Sequence, residues 1–225
     1  MISAVVPAFN EAKTIKKTVL ALAATGQIDE IIVVDDGSGD DTAQRALSAG
    51  AHVISLAQNQ GKAGALAIGV REARGEILCF ADADLGESAI EFRHLIAPVA
   101  AGQVDMTVAI FPPAKSKGGF GLVKKLAVLG VGKLGGYKAT APLSGQRVLR
   151  RQVWEAAAPA LTGFGVEVGL TVECLRHGFT LRELPVQMYH RETGRDWAGF
   201  CHRGRQFRDL LLTFWSLWLK GGVKA

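Results

Sequence analysis

Strand-like and helix-like segments alternate regularly through the first half of this 225-residue chain. Apolar runs typical of strands lie at residues 2–6, 30–34, 52–56, 76–81 and 106–111. Between the first two runs, Ile15, Val19 and Leu22 fall on one face of a helix. Repeated strand–helix units favour a parallel sheet with right-handed crossovers. We therefore predict an α/β fold in which helices flank a mostly parallel central sheet.

Local signals predict several helix ends. Asn10 is expected to cap the helix after the first strand. Gly75 is expected to be the C′ residue of a helix over 61–74. Ser88 and Glu91 have the spacing of a capping box that opens a further helix.

The second half continues with weaker patterns, which predict these elements: a short strand over 147–150, helices over 152–161 and 166–177, and a final strand over 180–188. No repeat or domain boundary is visible, and the length suits one α/β domain.

Three polar motifs follow predicted strands. They are VVPAFNE at residues 5–11, VVDDGSGD at 33–40 and FADADL at 80–85. In alternating strand–helix proteins, ligands bind at the carboxyl ends of the strands. Asp82 and Asp84 form an Asp-x-Asp pair, and Mg²⁺ takes one or two carboxylates together with substrate phosphates. Acidic residues after strands also serve as turn formers, but three such motifs in this order favour a ligand site.

These motifs, with GKAGAL at 61–66, resemble family-2-type glycosyltransferases of the GT-A, Rossmann-like fold. The resemblance covers residues 1–195. The nearest groups are polyprenyl-phosphate sugar synthases and, through GFGVEVG at 163–169, glucosyl-3-phosphoglycerate synthases. It implies a hexosyltransferase formed by a single domain over 1–225. Its expected parts are a nucleotide-binding half (1–111), an acceptor- and sugar-binding half (112–195) and a C-terminal helix (196–225).

The resemblance implies a nucleotide-diphospho-sugar donor, most often UDP-linked, and assigns these residues to the nucleotide: Pro7, Ala8, Asn10, Glu11, Asp36, Lys62 and Asp82. Asp36 would contact the base or ribose, although turn formation is its structural alternative, as we expect for Asp35. Lys62 and the N–H groups of a helix opening at Gly61 would face the nucleotide or its phosphates.

The same resemblance implies a divalent cation, Mg²⁺ or Mn²⁺, held by Asp84 and His190. An isolated histidine is otherwise often structural. Arg191 and Arg195 would bind phosphate oxygens through their bidentate guanidinium groups. Ser144 and Gln146 are expected to contact the acceptor.

Glu167 is the most informative residue of the second half. It lies between Gly165 and Gly169 at a predicted helix start. It would bind sugar hydroxyls or take the acceptor proton as a general base, and its structural alternative is an interaction with the helix dipole. The acid that polyprenyl-phosphate synthases often carry before their Ser-Gly-x-Arg segment is missing here. Acceptor class and inverting or retaining stereochemistry therefore stay open.

The charge of the chain narrows its partners. The net charge is +5, and basic residues gather at 115–138 and 191–208. No nucleic-acid-binding signature accompanies them, so a phosphate-bearing or lipid-phosphate acceptor is the better interpretation. Residues 112–138, with seven glycines and six lysines, are predicted to form an acceptor-binding segment or lid. The alternative is a flexible surface connection with a short helix.

The C-terminal segment combines basic residues at 200–208 with an apolar, tryptophan-containing run at 210–219. The run is too short to span a bilayer but suits a helix in the membrane interface. A core helix or a homodimer contact is the equal alternative.

Three widely spaced cysteines form no disulfide set, and no signal peptide or spanning segment is visible. We expect a cytoplasmic protein, at the inner membrane face if the C-terminal segment binds lipid. A non-catalytic nucleotide-sugar-binding adaptor is the remaining alternative, which the intact Asp-x-Asp pair disfavours.

Overall fold

The computed structural model describes residues 1–113, 121–157, 165–189 and 213–214. These residues form a seven-stranded sheet with the order β3-β2-β1-β4-β6-β5-β7. The strands are β1 (Ile2–Ala8), β2 (Glu30–Asp35), β3 (His52–Ser55), β4 (Ile77–Phe80), β5 (Met106–Ile110), β6 (Arg147–Arg150) and β7 (Leu181–Pro185). The helices are α1 (Ile15–Ala23), α2 (Thr42–Ser48), α3 (Gly61–Glu72), α4 (Phe92–Ala100), α5 (Gly121–Gly135), α6 (Arg151–Ala157) and α7 (Val166–Arg176).

The sheet is mostly parallel, which confirms the predicted fold class. Strands β1, β2, β3 and β4 run parallel to one another, and β7 runs parallel to β5. Strand β6 is the exception, because it lies antiparallel between β4 and β5. Its reversed direction brings the start of β6 to the carboxyl end of β4, where Arg147 pairs with Phe80. The sequence pattern had predicted this strand but not its direction.

Helices cover both faces of the sheet, so the central strands carry apolar side chains on both faces. On one face, Val6, Val33 and Cys79 pack with residues of α1, α2 and α4. On the other face, Val5 and Leu78 pack with residues of α3, α6 and α7. Cys79 is fully buried, and burial raises the pKa of its thiol. Cys79 is therefore a residue of the hydrophobic core.

Two predicted helix caps are wrong. Helix α1 begins at Ile15, whereas Asn10 lies in a left-handed turn with φ of 56° and accepts a hydrogen bond from Gly39 N–H. Ser88 donates its hydroxyl hydrogen to the Leu85 carbonyl inside a 3₁₀ helix, Gly86–Glu91, and α4 starts only after it. In both places a side chain binds a neighbouring loop instead of the helix start.

Gly75 is not the C′ residue of α3, which ends at Glu72. Its N–H donates to Ser3 Oγ at 2.7 Å, and a Cβ at this position would lie 2.7 Å from Ser3 N and 2.9 Å from Met1 O. The glycine is required because the chain passes close to β1, not because a helix ends there. Gly178, by contrast, follows α7 with φ of 78°, a left-handed conformation that is common where a helix ends.

The segment 112–138 contains a longer helix than expected. Helix α5 has 15 residues and packs against α7 through Ala127, Val131, Val168 and Val172. Most of the described part of segment 112–138 is therefore a helix that packs against α7, rather than a flexible connection that contains a short helix. A lid or acceptor-binding role for this segment stays a prediction.

The C-terminal segment is described only at Thr213 and Phe214. Thr213 is fully buried beside Gly165, and the Phe214 ring contacts Gly130 of α5. At these two positions the segment packs against α5 and against the residue that precedes α7. Trp215, Trp218 and the rest of the predicted interfacial helix lie outside the described residues. In the part of the chain that the structure describes, no helix is long and apolar enough to cross a bilayer.

Candidate active site

The three strand-end motifs meet at one edge of the sheet, formed by the carboxyl ends of β1, β2 and β4. Pro7 and Ala8 are the last residues of β1, where they pair with Val34 and Asp35 of β2. The Asp36 N–H donates to the Ala8 carbonyl, which continues the ladder beyond the strands. The residues predicted to bind the nucleotide thus lie together, as the strand order requires.

Side chains bind the first motif to the loop after β2. The N–H of Asn10 donates to Ser38 Oγ at 2.8 Å, and its side-chain oxygen accepts from Gly39 N–H at 2.9 Å. The N–H of Glu11 donates to Thr42 Oγ1 at 2.9 Å. These contacts hold a non-glycine residue in a left-handed conformation, which is uncommon and is found often at functional sites.

Asp36 contacts the start of helix α3. Its carboxylate is almost fully buried and accepts hydrogen bonds from Gln60 N–H at 2.7 Å and Gly61 N–H at 2.8 Å. The first N–H group of α3, at Gly61, was predicted to face an anion of the ligand and instead donates to Asp36. A contact of Asp36 with the base or ribose stays a prediction. Asp35 accepts from Ser38 N–H, the turn role expected of it.

Lys62 occupies the centre of the site. Its ammonium lies 2.7 Å from Asp82 Oδ1 and 2.9 Å from Glu167 Oε1, and its side chain is about a quarter exposed. Burial by itself would lower the pKa of Lys62, but the negative charges of Asp82 and Glu167 outweigh burial and raise this pKa above its usual value. Lys62 thus stays charged and joins the two predicted halves of the chain. From the sequence, we had predicted that Lys62 faces the nucleotide or its phosphates.

Asp82 is held by Gln146. The amide nitrogen of Gln146 donates to Asp82 Oδ2 at 2.6 Å, and its amide oxygen accepts from Asp82 N–H at 2.9 Å. Gln146 is fully buried. Both carboxylate oxygens of Asp82 are therefore engaged, one by Lys62 and one by Gln146. Gln146 thus positions Asp82 in the structure, and the expected contact of Gln146 with the acceptor stays a prediction.

Gly145 permits this close assembly. A Cβ at Gly145 would overlap the Lys62 ammonium and lie 3.0 and 3.1 Å from the two carboxylate oxygens of Asp82. Sequence reasoning missed this role. The available signal was the glycine of the Ser-Gly-x-Arg segment, since glycine often marks a close approach of the backbone.

Asp84 lies in the turn after β4, and its side chain is half-buried. The turn is anchored by Thr18 of α1, whose hydroxyl donates to the Ala83 carbonyl at 2.9 Å and accepts from Gly86 N–H at 2.9 Å. Carboxylate oxygens are the donors that Mg²⁺ and Mn²⁺ prefer. Asp82 is engaged by Lys62 and Gln146, and the role of Asp84 as the metal ligand stays a prediction.

The described residues contain no group of three or more His, Cys, Asp or Glu side chains that could hold a metal. A site with one or two carboxylates still fits Mg²⁺, which completes its shell with water and substrate phosphates. The predicted further ligand, His190, and the predicted phosphate ligands, Arg191 and Arg195, lie outside the described residues.

Glu167 and Ser144 approach the same cluster from the second half. Glu167 is in the first turn of α7, and 13% of its side chain is exposed. Its carboxylate contacts Lys62, so the helix dipole is not its only partner. Ser144 lies next to Gly145, and its hydroxyl is buried with no hydrogen-bond partner among the described residues. A contact of Ser144 with the acceptor stays a prediction.

Comparison with curated proteins finds several relatives that are glucosyl-3-phosphoglycerate synthases. The chain is 31% identical over 202 residues to the glucosyl-3-phosphoglycerate synthase of Mycolicibacterium paratuberculosis, over 76% of this chain and 59% of that protein. It is 30% identical over 201 residues to the synthase of Mycobacterium tuberculosis, over 76% of this chain and 60% of that protein. The chain thus matches about three fifths of the length of these curated relatives.

Solved structures show the same likeness. The Mycobacterium tuberculosis synthase in complex with Mn²⁺, UDP and phosphoglyceric acid superposes with a TM-score of 0.80 and 27% identity, over 96% of this chain and 78% of that one. Its complex with Mg²⁺ and UDP gives a TM-score of 0.80 and 25% identity, over 96% and 79%. The fold of this chain is therefore the GT-A fold of these enzymes.

The profile of glycosyl transferase family 2 matches residues 3–152. The matched region contains all three strand-end motifs, Lys62 and the Gly145–Gln146 turn that holds Asp82. From this match, the fold and the arrangement of the site, the chain belongs to glycosyl transferase family 2.

Proposed function

We propose that this protein transfers a hexosyl group from a UDP-linked sugar to a small phosphate-bearing acid, with Mg²⁺ or Mn²⁺ on the diphosphate. The observation that carries the proposal is the cluster of Lys62, Asp82 and Glu167 beside Asp84 at the carboxyl edge of β1, β2 and β4.

The donor site needs to hold a nucleotide and neutralise its diphosphate. The motifs after β1 and β2 supply the nucleotide side, and Asp84 with Asp82 supplies the carboxylates near a metal. When bound, the cation would offset the charge that develops on the leaving diphosphate. The relatives crystallised with UDP and Mg²⁺ or Mn²⁺ support this choice of nucleotide and metal.

The cluster around Lys62 suits the sugar itself. Carboxylates accept hydrogen bonds from hydroxyl groups, and an ammonium donates to them. Asp82 and Glu167 reach the same nitrogen from opposite halves of the chain, so a sugar bound there would be held on two sides. Such positioning is a large part of catalysis in group transfer.

A water-soluble phosphate-bearing acceptor is the better match to the relatives, one of which is crystallised with phosphoglyceric acid. This choice favours the retaining reaction of the glucosyl-3-phosphoglycerate synthase group over transfer to a lipid phosphate. The excess of basic residues in the chain agrees with an anionic acceptor.

The test begins with thermal shifts in UDP, GDP and ADP, each with and without Mn²⁺. A ligand that binds only the native state raises its stability by mass action, so UDP with Mn²⁺ should give the largest shift. Transfer from UDP-glucose to 3-phosphoglycerate is then compared with transfer to polyprenyl phosphate, with mass spectrometry for the product and NMR for the anomeric configuration. Failure of every nucleotide to bind and of every donor to turn over refutes the proposal.

Asp84→Asn is the decisive variant. It should remove the Mn²⁺-dependent part of the UDP shift and nearly abolish turnover, because an amide lacks the charge that a hard cation requires. Glu155→Gln on the exposed surface of α6 removes the same charge far from the cluster and should behave like the wild type. Equal Mn²⁺-dependent UDP affinity in Asp84→Asn and the wild type would contradict the metal assignment.

A further inference from the structure

Arg147 is a buried arginine behind the proposed site. It opens β6 opposite Phe80, the last residue of β4, and only 1% of its surface is exposed. A buried guanidinium is costly to desolvate unless its hydrogen bonds are satisfied. Its role in the sequence pattern was only that of a strand residue.

The guanidinium joins two elements of the site. Its Nε donates to the Ser144 carbonyl at 2.9 Å and its Nη2 to the Pro142 carbonyl at 3.3 Å, so both bonds hold the turn that precedes β6. Its Nη1 donates to Thr171 Oγ1 of α7 at 2.7 Å. The Thr171 hydroxyl in turn donates to the Glu167 carbonyl at 2.9 Å.

The turn before β6 and helix α7 each position one of the two carboxylates that contact Lys62. The turn presents Gly145 and Gln146 to Asp82, and the first turn of α7 presents Glu167 to Lys62. Among the described residues, all three hydrogen bonds of Arg147 go to uncharged oxygens. An apolar side chain could fill the same volume without the cost of desolvation, so packing alone does not account for an arginine here.

Electrostatics agree with this geometry. Burial lowers the pKa of Arg147 to about 10, while the negative charge of Glu167 acts on it in the opposite direction. Arg147 therefore lies close enough to Glu167 for their charges to interact.

We propose that Arg147 is a positioning residue of the transfer site, which holds the turn at 142–146 against α7 and so sets Asp82 and Glu167 on either side of Lys62. This inference rests on the proposed function for its effect on turnover, but the placement of Glu167 is a property of the fold.

The experiment compares Arg147→Met with Arg151→Met. Arg151 is the matched control, because its partly buried guanidinium also donates three bonds, to the carbonyls of Gly75, Val70 and Ala73, away from the cluster. We expect Arg147→Met to lower kcat roughly 100-fold, as misplaced groups do, and to weaken UDP–Mn²⁺ binding by a much smaller factor. Arg151→Met should lower the melting temperature and leave kcat unchanged.

A double-mutant cycle with Glu167→Gln separates positioning from general destabilisation. If Arg147 acts through Glu167, then Arg147→Met should cost less than about threefold in kcat when Glu167 is already Gln, because coupled residues are not additive. Thr171→Val removes the bond from Arg147 to α7 together with the bond from Thr171 to the Glu167 carbonyl, and leaves the two bonds of Arg147 to the turn. It should lower kcat about fivefold, the value of about one hydrogen bond. This variant decides the question if Arg147→Met does not fold.

Two results overturn the inference: a kcat for Arg147→Met equal to that of Arg151→Met, or equal losses from Arg147→Met with and without Glu167→Gln. The urea midpoints of unfolding of the same four proteins test the placement of Glu167 without a turnover assay. Additive midpoint shifts in the double variant would also overturn the inference. A wild type that turns over no UDP-sugar refutes the proposed function instead.

Discussion

Lys62→Met is expected to uncouple the two halves of the active site. The substitution keeps the length of the side chain but removes the ammonium that contacts Asp82 at 2.7 Å and Glu167 at 2.9 Å. In the wild type, Asp82 and Glu167 share the ammonium of Lys62. In the variant, the two carboxylates would face each other without a cation between them. Like charges at this range repel, and each loses the partner that offset its desolvation.

The size of the effect follows from the burial of the cluster. Removing one partner of a fully buried ion pair costs about 3–5 kcal/mol. Since the Lys62 and Asp82 side chains are each about a quarter exposed, solvent screens part of this, and we expect a loss of about 1–3 kcal/mol in the free energy of unfolding. For a chain of this length, 1 kcal/mol corresponds to about 2–4 °C in melting temperature.

The assay is urea and thermal unfolding at neutral pH, with Lys17→Met as the matched control. Lys17 forms an ion pair with Glu87 at the same 2.9 Å, but both side chains are mostly exposed, so its loss should cost less than about 1 kcal/mol. Turnover should fall strongly only in Lys62→Met. If the two variants lose equal stability and both keep full turnover, the bridging role assigned to Lys62 is wrong.

Two further predictions concern the same cluster. Because the pKa of Lys62 is raised in the folded protein, its contribution to stability is fully present below its unfolded pKa of about 10.4 and is lost as the pH rises through the higher folded value. The stability difference between the wild type and Lys62→Met, from urea unfolding, should therefore be constant up to about pH 10 and shrink above it; a constant difference at higher pH would contradict the shift. Gln146→Leu removes both hydrogen bonds to Asp82 and should cost about 1–3 kcal/mol in stability and at least about tenfold in kcat. Gln152→Leu on the exposed face of α6 is its control, and equal kcat in the two variants would show that Gln146 does not position Asp82.

Much of the fold could be predicted because its signals are local. A strand buried on both faces needs a continuous apolar run, and a helix on a sheet needs an apolar face. These requirements placed β1, β2 and the other strands to within a few residues. The helix ends were predicted less well. Asn10 and Ser88 have good capping chemistry, but nearby loops offered their side chains other partners.

For the site, the sequence determined which residues lie at the carboxyl edge of the sheet, because a motif directly after a parallel strand has little choice of position. Pro7, Asp36, Asp82 and Asp84 follow from that rule. The partners of these residues were decided by tertiary packing. Lys62 meets Asp82 and Glu167, which are far away along the chain, only because α3 and α7 lie on the same face of the sheet. The antiparallel direction of β6 brings Gln146 to Asp82 and buries Arg147. The periodicity of a sequence indicates which faces of each helix or strand are buried. Contacts between distant elements depend on how those elements pack together, and local sequence patterns do not determine that packing.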